Sequence, residues 1–348
     1  MKIHRPITPG FVLLFVFALV AGPSAGRGAA AAATTFSGQA TVISGQVAGI
    51  PVKLVDTGPV AAGGGQLHES LLEYPISGVP DVTGGALTAD ILHATVVAQG
   101  NKSSAEAVVA DFTLNAANQK IGAEFLAARA SATCNSGAAT ITESSEIVGL
   151  TVNGQQIAVG TQPQTITLPV GSIVINEQPI ASASGDSGSV TVNALHIMLT
   201  DPVFFTKTDL IVASAHADIA CATQTVAGTC LNQDFVTGGG WITTKSGSRA
   251  TFAVAGGPSG WGHFEYIDHG SGLKIHGTAV TFYGPGTNGP TSREIDGTAQ
   301  WTGGGSGAYA VDVADNGEPG HDLDVFQITA PAAESAKLGG GNIQLHCK

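Results

Sequence analysis

The sequence predicts an all-β protein, with two β-sandwich-like domains in tandem after a cleaved signal peptide. Three observations support this prediction. Charged residues make up only 11% of the chain and aromatic residues 6%, whereas glycine occurs 48 times, a composition typical of turn-rich β proteins. Apolar and polar residues alternate along most of the chain, as they do in half-buried strands. No stretch keeps the period of an amphipathic helix over three turns.

Residues 1–33 have the features of a secretory signal peptide and its processing region. Lys2 and Arg5 precede an apolar run at residues 11–21, and the alanine-rich residues 29–33 follow it. A membrane-spanning helix needs about 20 apolar residues, so this run is too short, and no second run of that length follows. We therefore expect a secreted, extracellular protein without a transmembrane segment, at most loosely associated with the cell surface.

The net charge of −12 limits the choice of partners. Nucleic acids and anionic membrane surfaces attract basic proteins, so both are excluded as expected partners. An extracellular glycan or protein is the partner that this composition favours, and the oligomeric state stays open.

Residues 34–222 form the predicted first domain. The Val152-Asn153-Gly154-Gln155 segment is its clearest hairpin signal, because Asn-Gly favours a two-residue turn. Residues 69–72 and 123–132 also fit a helical pattern, although the second fits a period of two equally well. Predicted strands lie at residues 41–43, 51–55, 86–98, 105–114, 147–152, 165–168, 172–175 and 190–199.

A polar segment without alternation, residues 223–234, is the predicted linker to a second domain at residues 235–348. The second domain holds all three tryptophans and short strands between glycine-rich turns, which is typical of a compact sandwich or barrel. Its predicted strands lie at residues 241–242, 250–254, 263–267, 273–282, 293–301, 308–313, 324–329 and 342–346.

Four cysteines in an exported chain predict two disulfides, for which three pairings exist. Small side chains alternate along residues 126–134 and 211–221, and each of these strands ends in a cysteine. Two such faces can approach closely enough to bridge, which favours Cys134 with Cys221. Cys230 and Cys347 would then clamp the first and last strands of the second domain.

Several motifs resemble those of choice-of-anchor P proteins. In the first domain they are GQAT (38–41), VDTGP (55–59), SEIVGL (145–150), VINEQ (174–178) and ASAHADI (213–219). The second domain is similar to the domain that often follows, through VTGGGW (236–241), GHFEY (262–266), DNGEPG (315–320) and GGGNIQ (339–344). The resemblance implies an exported bacterial protein and carries no established activity. The C-terminal Leu345-His346-Cys347-Lys348 lacks a sorting motif, an apolar span or a basic tail, unlike the anchored members.

Two short motifs resemble protease nucleophile segments. Ser187 lies in a Gly-Asp-Ser-Gly-Ser segment, but a serine protease also needs a histidine base, and the segments around His68 and His93 do not match one. Asp56 lies in an Asp-Thr-Gly segment that occurs once, so an aspartic protease would have to be a homodimer. Ordinary polar turns explain both segments better, and we predict no catalytic residue. Convergence of Asp56, Ser187 and His216 would instead indicate an extracellular hydrolase, the alternative hypothesis.

An acidic segment could bind calcium, because calcium takes six to eight oxygen ligands. The spacing is not that of an EF-hand, and a tight turn explains the same residues. The candidate ligands are Asp312, Asp315, Asn316, Glu318, Asp322 and Asp324.

A second candidate is a transition-metal site at His263, Glu265, His269 and His276. His263 and Glu265 share a face of one predicted strand, and a hairpin could bring His276 beside them. A solvated sheet face is the alternative. No other cofactor is predicted.

Trp241, Trp261 and Trp301 could together form a surface on which sugars stack. A tryptophan in a small sandwich more often fills the core. The sequence thus favours a non-catalytic secreted or surface-associated β protein that acts as a structural, adhesion or ligand-binding module.

Overall fold

The computed structural model describes residues 33–135, 137–222 and 234–347, and residues Ala32–Lys348 form one compact unit. The described chain is nearly all strand, and its only helical turn is a 3₁₀ turn at Pro258–Gly260, so the all-β, sandwich-like fold class is confirmed. No helix among these residues is long and apolar enough to cross a membrane. The predicted signal peptide and nearly all of the predicted linker lie outside the described residues.

Residues 33–222, here called the first part, contain thirteen antiparallel strands in two sheets. One sheet has the order β10-β11-β12-β13-β1-β2, and the other has the order β3-β4-β5-β6-β8-β9, with β7 also paired to β6. The strands are β1 Thr35–Val47, β2 Ile50–Asp56, β3 Gly65–Tyr74, β4 Leu87–Gln99, β5 Lys102–Ala116, β6 Gln119–Asn135, β7 Ala138–Val148, β8 Thr151–Val152, β9 Gln155–Gln156, β10 Gln164–Leu168, β11 Gly171–Ser184, β12 Ser187–Thr200 and β13 Lys207–Ala220.

The two sheets of the first part pack face to face around small side chains. Ala40, Ala107, Ala128 and Ala215 are fully buried, and each lies on a strand whose burial alternates with a period of two. Small residues at these positions allow the sheets to approach closely and to pack at the density of a protein interior.

The disulfide between Cys134 and Cys221 joins the two sheets, which confirms one predicted bond. The Cα atoms of the two cysteines are 5.6 Å apart, within the usual range. The predicted Cys230–Cys347 bond lies outside the part of the chain whose side chains are described.

Residues 234–347, the second part, form one antiparallel sheet in the order β21-β20-β19-β18-β17-β16-β15-β14-β22. Stacked aromatic rings fill its core, among them Phe252 and Phe326 with ring centroids 4.0 Å apart. The strands are β14 Asp234–Thr243, β15 Arg249–Gly257, β16 Trp261–Asp268, β17 Leu273–Pro285, β18 Ser292–Trp301, β19 Gly305–Ala314, β20 Val325–Ala330, β21 Glu334–Lys337 and β22 Gly340–Cys347.

Most predicted strands are present, with two informative differences. Residues 69–72 and 123–132 lie in strands β3 and β6, so the helical pattern there is coincidental. The second part has nine strands rather than eight, because the short strand β21 at its edge has too few apolar residues to show alternation. The predicted hairpin is confirmed, since Val152 pairs with Gln155.

The glycine triplet at residues 238–240 serves close strand packing. A Cβ atom at Gly240 would lie 2.4 Å from the carbonyl oxygen of Gly340 on β22, and one at Gly238 would lie 2.6 Å from that of Asn342. Only glycine permits this approach. The triplet therefore brings β22 against β14, beside the first part.

The two parts meet along a seam that includes a small apolar cluster. Ile91 and Ala110 of the first part pack with Ala253 and Ile267 of the second. Arg249 adds an ion pair across the seam, with Nη1 2.8 Å from Oε2 of Glu124. The seam positions the sites described next.

Candidate ligand-binding cleft and histidine cluster

A cleft of about 500 Å³ lies on the seam. Strands β4 to β7 of the first part form one wall, and β14, β22 and the segment around Glu318 form the other. Its lining combines two cationic side chains, Lys102 and Arg129, with three carboxylates, Glu106, Glu143 and Glu318. Hydroxyl and amide side chains occupy much of the remaining wall, so the cleft offers many hydrogen-bonding groups.

Arg129 is held between two carboxylates, with part of its guanidinium free. It donates from Nε to Oε1 of Glu106 at 2.8 Å, and Nη1 lies 3.5 Å from Oε2 of Glu146. The side chains of Arg129 and Glu106 are only 18% and 12% exposed. Nη2 is buried and has no hydrogen-bond partner in the described chain. A buried guanidinium donor without a partner is costly, unless a ligand or water accepts from it.

Glu106 and Lys102 both lie in surroundings that disfavour their charged forms. Burial raises the pKa of Glu106, although Arg129 opposes this effect. Burial lowers the pKa of Lys102, against the attraction of Glu318 and Asp315. His346 on the opposite wall stays neutral, because burial and then the charge of Lys102 lower its pKa to about 3.

Glu318 connects the acidic segment to the cleft. Its Oε1 accepts hydrogen bonds of 3.1 Å from the amides of Asn342 and Gln344 on β22. These amides present the carboxylate at the cleft wall. Of the six predicted calcium ligands, Glu318 is the one that lines the cleft.

The other predicted calcium ligands mostly bind the protein itself. Asp324 accepts from the backbone N–H groups of Asn316 and Ile343, both at 2.8 Å, and burial raises its pKa to about 6. Asp315 accepts from the N–H of Leu345, and Asp312 accepts from Thr287 and Ser292. Asn316 binds Thr291 and the carbonyl of Leu323, and Asp322 lies beside His321 at the surface. The segment thus forms a hydrogen-bonded turn against β22.

A chain of three histidines crosses the seam near β16. Nδ1 of His93 lies 2.7 Å from Nε2 of His263, and Nδ1 of His263 lies 2.9 Å from Nδ1 of His68. His93 is fully buried, and its Nε2 has no partner among the described residues. If His93 donates from Nδ1, only a lone pair is left at Nε2, and His263 then donates from Nδ1 to His68.

These histidines are neutral at physiological pH. Burial, with a smaller contribution from His68, lowers the pKa of His93 to about 3. Burial also lowers the pKa of His68, and burial with the neighbouring histidines lowers the pKa of His263 well below its usual value. The cluster is therefore a neutral hydrogen-bonded chain that links β3, β4 and β16.

The structure divides the predicted transition-metal ligands among three places. His263 belongs to the histidine chain. Glu265 is 1% exposed and pairs with His276, whose Nδ1 lies 2.8 Å from Oε1 of Glu265. Ser70 donates a hydrogen bond to the same oxygen. The other carboxylate oxygen, Oε2, has no partner in the described chain. His276 lies opposite Glu265 in the strand register, and His263 lies opposite Ala255.

His269 lies beside two aspartates of the first part. One ligand atom from each of His269, Asp90 and Asp111 falls within 4.8 Å of the others, and Nε2 of His269 is 3.3 Å from Oδ2 of Asp111. Thr251 also contacts Nε2, at 3.0 Å. Among the described residues this is the one group of three whose spacing suits a cation, and it shares only His269 with the prediction.

The three tryptophans occupy separate, partly buried environments. The Arg249 guanidinium lies 5.0 Å from the ring centroid of Trp241, and Trp261 makes edge contacts with His68 and Phe235. Trp301 packs against the glycines that follow it on β19 and against the aromatic core.

The three residues of the hydrolase alternative each bind other groups. Asp56 accepts from Gln39 and Thr41; burial would raise its pKa, but hydrogen bonds from Lys53, Thr41 and Gln39 outweigh burial and lower it to about 2. Ser187 donates to the carbonyl of Ser184, and His216 contacts Thr191 at 2.8 Å. No hydrogen bond joins Asp56, Ser187 and His216 in the described structure.

No family model and no curated protein matches the chain. Among solved structures, the chain is similar to a provisionally assigned AttH protein from Nitrosomonas europaea, at 9% identity over 70% of this chain and 87% of that chain. The TM-score is 0.18, so this likeness supports no statement about function.

Proposed function

We propose that the protein is an exported, non-catalytic bacterial β protein whose seam cleft binds a hydroxyl-rich ligand, such as an extracellular glycan. The observation that carries this proposal is the buried Nη2 of Arg129 in the cleft, which has no acceptor among the described residues. Sugar hydroxyls both accept and donate hydrogen bonds. A glycan could accept from Arg129 and donate to the carboxylates of Glu143 and Glu318.

Three features support export and the choice-of-anchor P assignment within this proposal. Residues 1–33 have a signal-peptide pattern, and the quoted motifs extend over both parts of the chain. The Cys134–Cys221 disulfide suits an oxidising compartment. We therefore propose a secreted protein, at most loosely held at the cell surface.

Binding to an array of neutral and uronic-acid oligosaccharides, followed by calorimetry on the best ligand, tests the cleft. Arg129→Lys keeps the charge but shortens the donor fork, and Gln344→Ala removes a cleft amide with little effect on the core. Arg293→Lys, which alters an arginine paired with Asp234 outside the cleft, is the matched control.

We expect saturable binding that Arg129→Lys weakens about tenfold or more, since losing a hydrogen bond to a charged group costs about 1.5–3 kcal/mol. Gln344→Ala removes a neutral donor and should weaken binding about two- to tenfold, and Arg293→Lys should leave it unchanged. Absence of saccharide binding, or equal binding by all three variants, would contradict the proposal.

A further inference from the structure

Exposed apolar side chains are concentrated at one end of the first part. Of the ten large hydrophobic side chains that are exposed in the described chain, seven lie in or beside three connections between strands. These are the β1–β2, β3–β4 and β12–β13 connections, with Ile50, then Ile76, Val79 and Val82, then Val203, Phe204 and Phe205. A soluble protein rarely gathers such side chains without a binding partner.

The β1–β2 and β12–β13 connections lie side by side. The N–H of Gly49 donates to the carbonyl of Lys207 at 2.7 Å, and the N–H of Ala48 donates to Oγ1 of Thr208 at 3.0 Å. Ile50 therefore lies next to the loop that carries the two phenylalanines.

The β3–β4 connection lies at the same end, on the facing sheet. Gly38, near the start of β1, packs against Val96, near the end of β4. The end of β1 and the start of β4 are thus both the strand ends away from this contact. The disulfide marks the other end, since the N–H of Cys134 bonds to Asn101 in the β4–β5 turn. With 13 residues in β1, the two ends are about 40 Å apart.

The backbone of the β12–β13 loop holds its apolar side chains outward. Oδ1 of Asp201 accepts from the N–H groups of Val203 and Phe204 at 2.8 and 2.9 Å. Phe205 has a φ of +55°, a conformation rarely adopted by a bulky residue, and both phenylalanines are 77% exposed. The fold thus keeps two aromatic rings in water.

The tips of the three loops carry no charge. Residues 48–50, 75–80 and 202–206 contain no acidic or basic side chain. The carboxylates of Asp81 and Asp201 flank the tips, where they accept from the N–H groups of Thr83 and of Val203 respectively. The tips themselves therefore take no charged side chain into an apolar medium.

We propose that this end inserts its loop tips into the interface of a zwitterionic lipid bilayer. One flat surface can receive tips from both sheets at once, whereas a protein partner would need separate hollows matched to each tip. The uncharged tips and the net charge of −12 favour zwitterionic over anionic lipid.

A tryptophan reporter tests the insertion locally. Phe204→Trp is mixed with phosphatidylcholine vesicles, and Phe282→Trp, at the exposed phenylalanine of the second part, is the matched control. Each variant keeps the three native tryptophans and the same N-terminal segment. The background that these features add to the fluorescence and to lipid binding is therefore the same in the two variants. We expect a blue shift and quenching by brominated lipid for the Phe204 reporter alone. No shift, or the same shift in both reporters, would overturn the proposal.

Vesicle sedimentation gives the affinity. Phe204→Ser/Phe205→Ser and, on the other sheet, Val79→Ser/Val82→Ser are each expected to lower partitioning about tenfold or more, whereas Phe282→Ser leaves it unchanged. The thermal unfolding midpoint of each variant verifies folding. Unchanged partitioning of both double variants would overturn the proposal. So would binding confined to vesicles with phosphatidylserine, or self-association without lipid that the same variants abolish.

Discussion

Arg129 and Glu106 lie directly opposite each other on β6 and β5, and their side chains form an ion pair of 2.8 Å within the cleft wall. Each is the charged member of a stretch of small residues on its strand. The pair therefore contributes both to the stability of the sheet and to the binding groups of the cleft, and these two contributions can be measured separately.

Removal of Arg129 should destabilise the protein strongly. Arg129→Ala leaves Glu106 buried without its counter-ion, and breaking a buried pair in this way costs about 3–5 kcal/mol. Urea unfolding at pH 7 measures the change. Lys53→Ala, which breaks a surface pair with Asp56, is the control and should cost about 0–1 kcal/mol. Equal effects of the two substitutions would show that the Arg129 pair is solvated.

The histidine chain should make stability fall as the solution becomes acidic. His93 has a pKa of about 3 in the folded protein and about 6.5 when unfolded, so between these values the unfolded state alone takes up a proton. The free energy of unfolding should drop by about 1.4 kcal/mol per pH unit from this residue, beginning near pH 6.5. Urea unfolding at several pH values measures the slope.

His93→Gln should reduce that slope, whereas His321→Gln, at an exposed histidine, should leave it unchanged. A slope that is the same in both variants would mean that His93 titrates normally in the folded protein.

Removal of the Cys134–Cys221 bond should lower stability through the unfolded chain. The bond spans 87 residues. Closing a loop of that length reduces the entropy of the unfolded state and so raises its free energy by about 4–5 kcal/mol at 25 °C. Cys134→Ser/Cys221→Ser in urea unfolding measures this. A loss below about 1 kcal/mol would indicate residual structure in the unfolded state.

Calcium should leave the thermal midpoint unchanged, because Asp315 and Asp324 already accept backbone N–H groups. The midpoint is measured with calcium and then with chelator. A calcium-dependent rise that Asp315→Asn/Glu318→Gln abolishes would instead support the sequence-based calcium prediction.

The sequence predicts what depends on local periodicity. Alternation locates most strands, and the small-residue faces that end in Cys134 and Cys221 predict their bond. A four-residue edge strand such as Glu334–Lys337 is too short and too polar to produce the same signal.

Sites made by distant segments are largely invisible in the sequence. His93 contacts His263 across 170 residues, and the cleft combines strands β4 to β7 with β22. One signal was available for the cleft: Glu106 and Arg129 are opposite charges on adjacent strands, and each is flanked by small residues. Periodicity identifies the face that a side chain shares, but it cannot identify the sheet that packs on that face.

The pairing of β1 with β13 and of β14 with β22 sets the order in which the chain can fold. In each part, the first strand to be synthesised pairs with the last one. The sheet that contains β1 and the sheet that contains β14 are therefore incomplete until the final strand of each part has been synthesised. During that interval β1 and β14 expose unpaired edges, which makes a stalled or truncated chain prone to aggregation. Loss of residues 340–348, which include the whole of β22, would leave β14 permanently in that state.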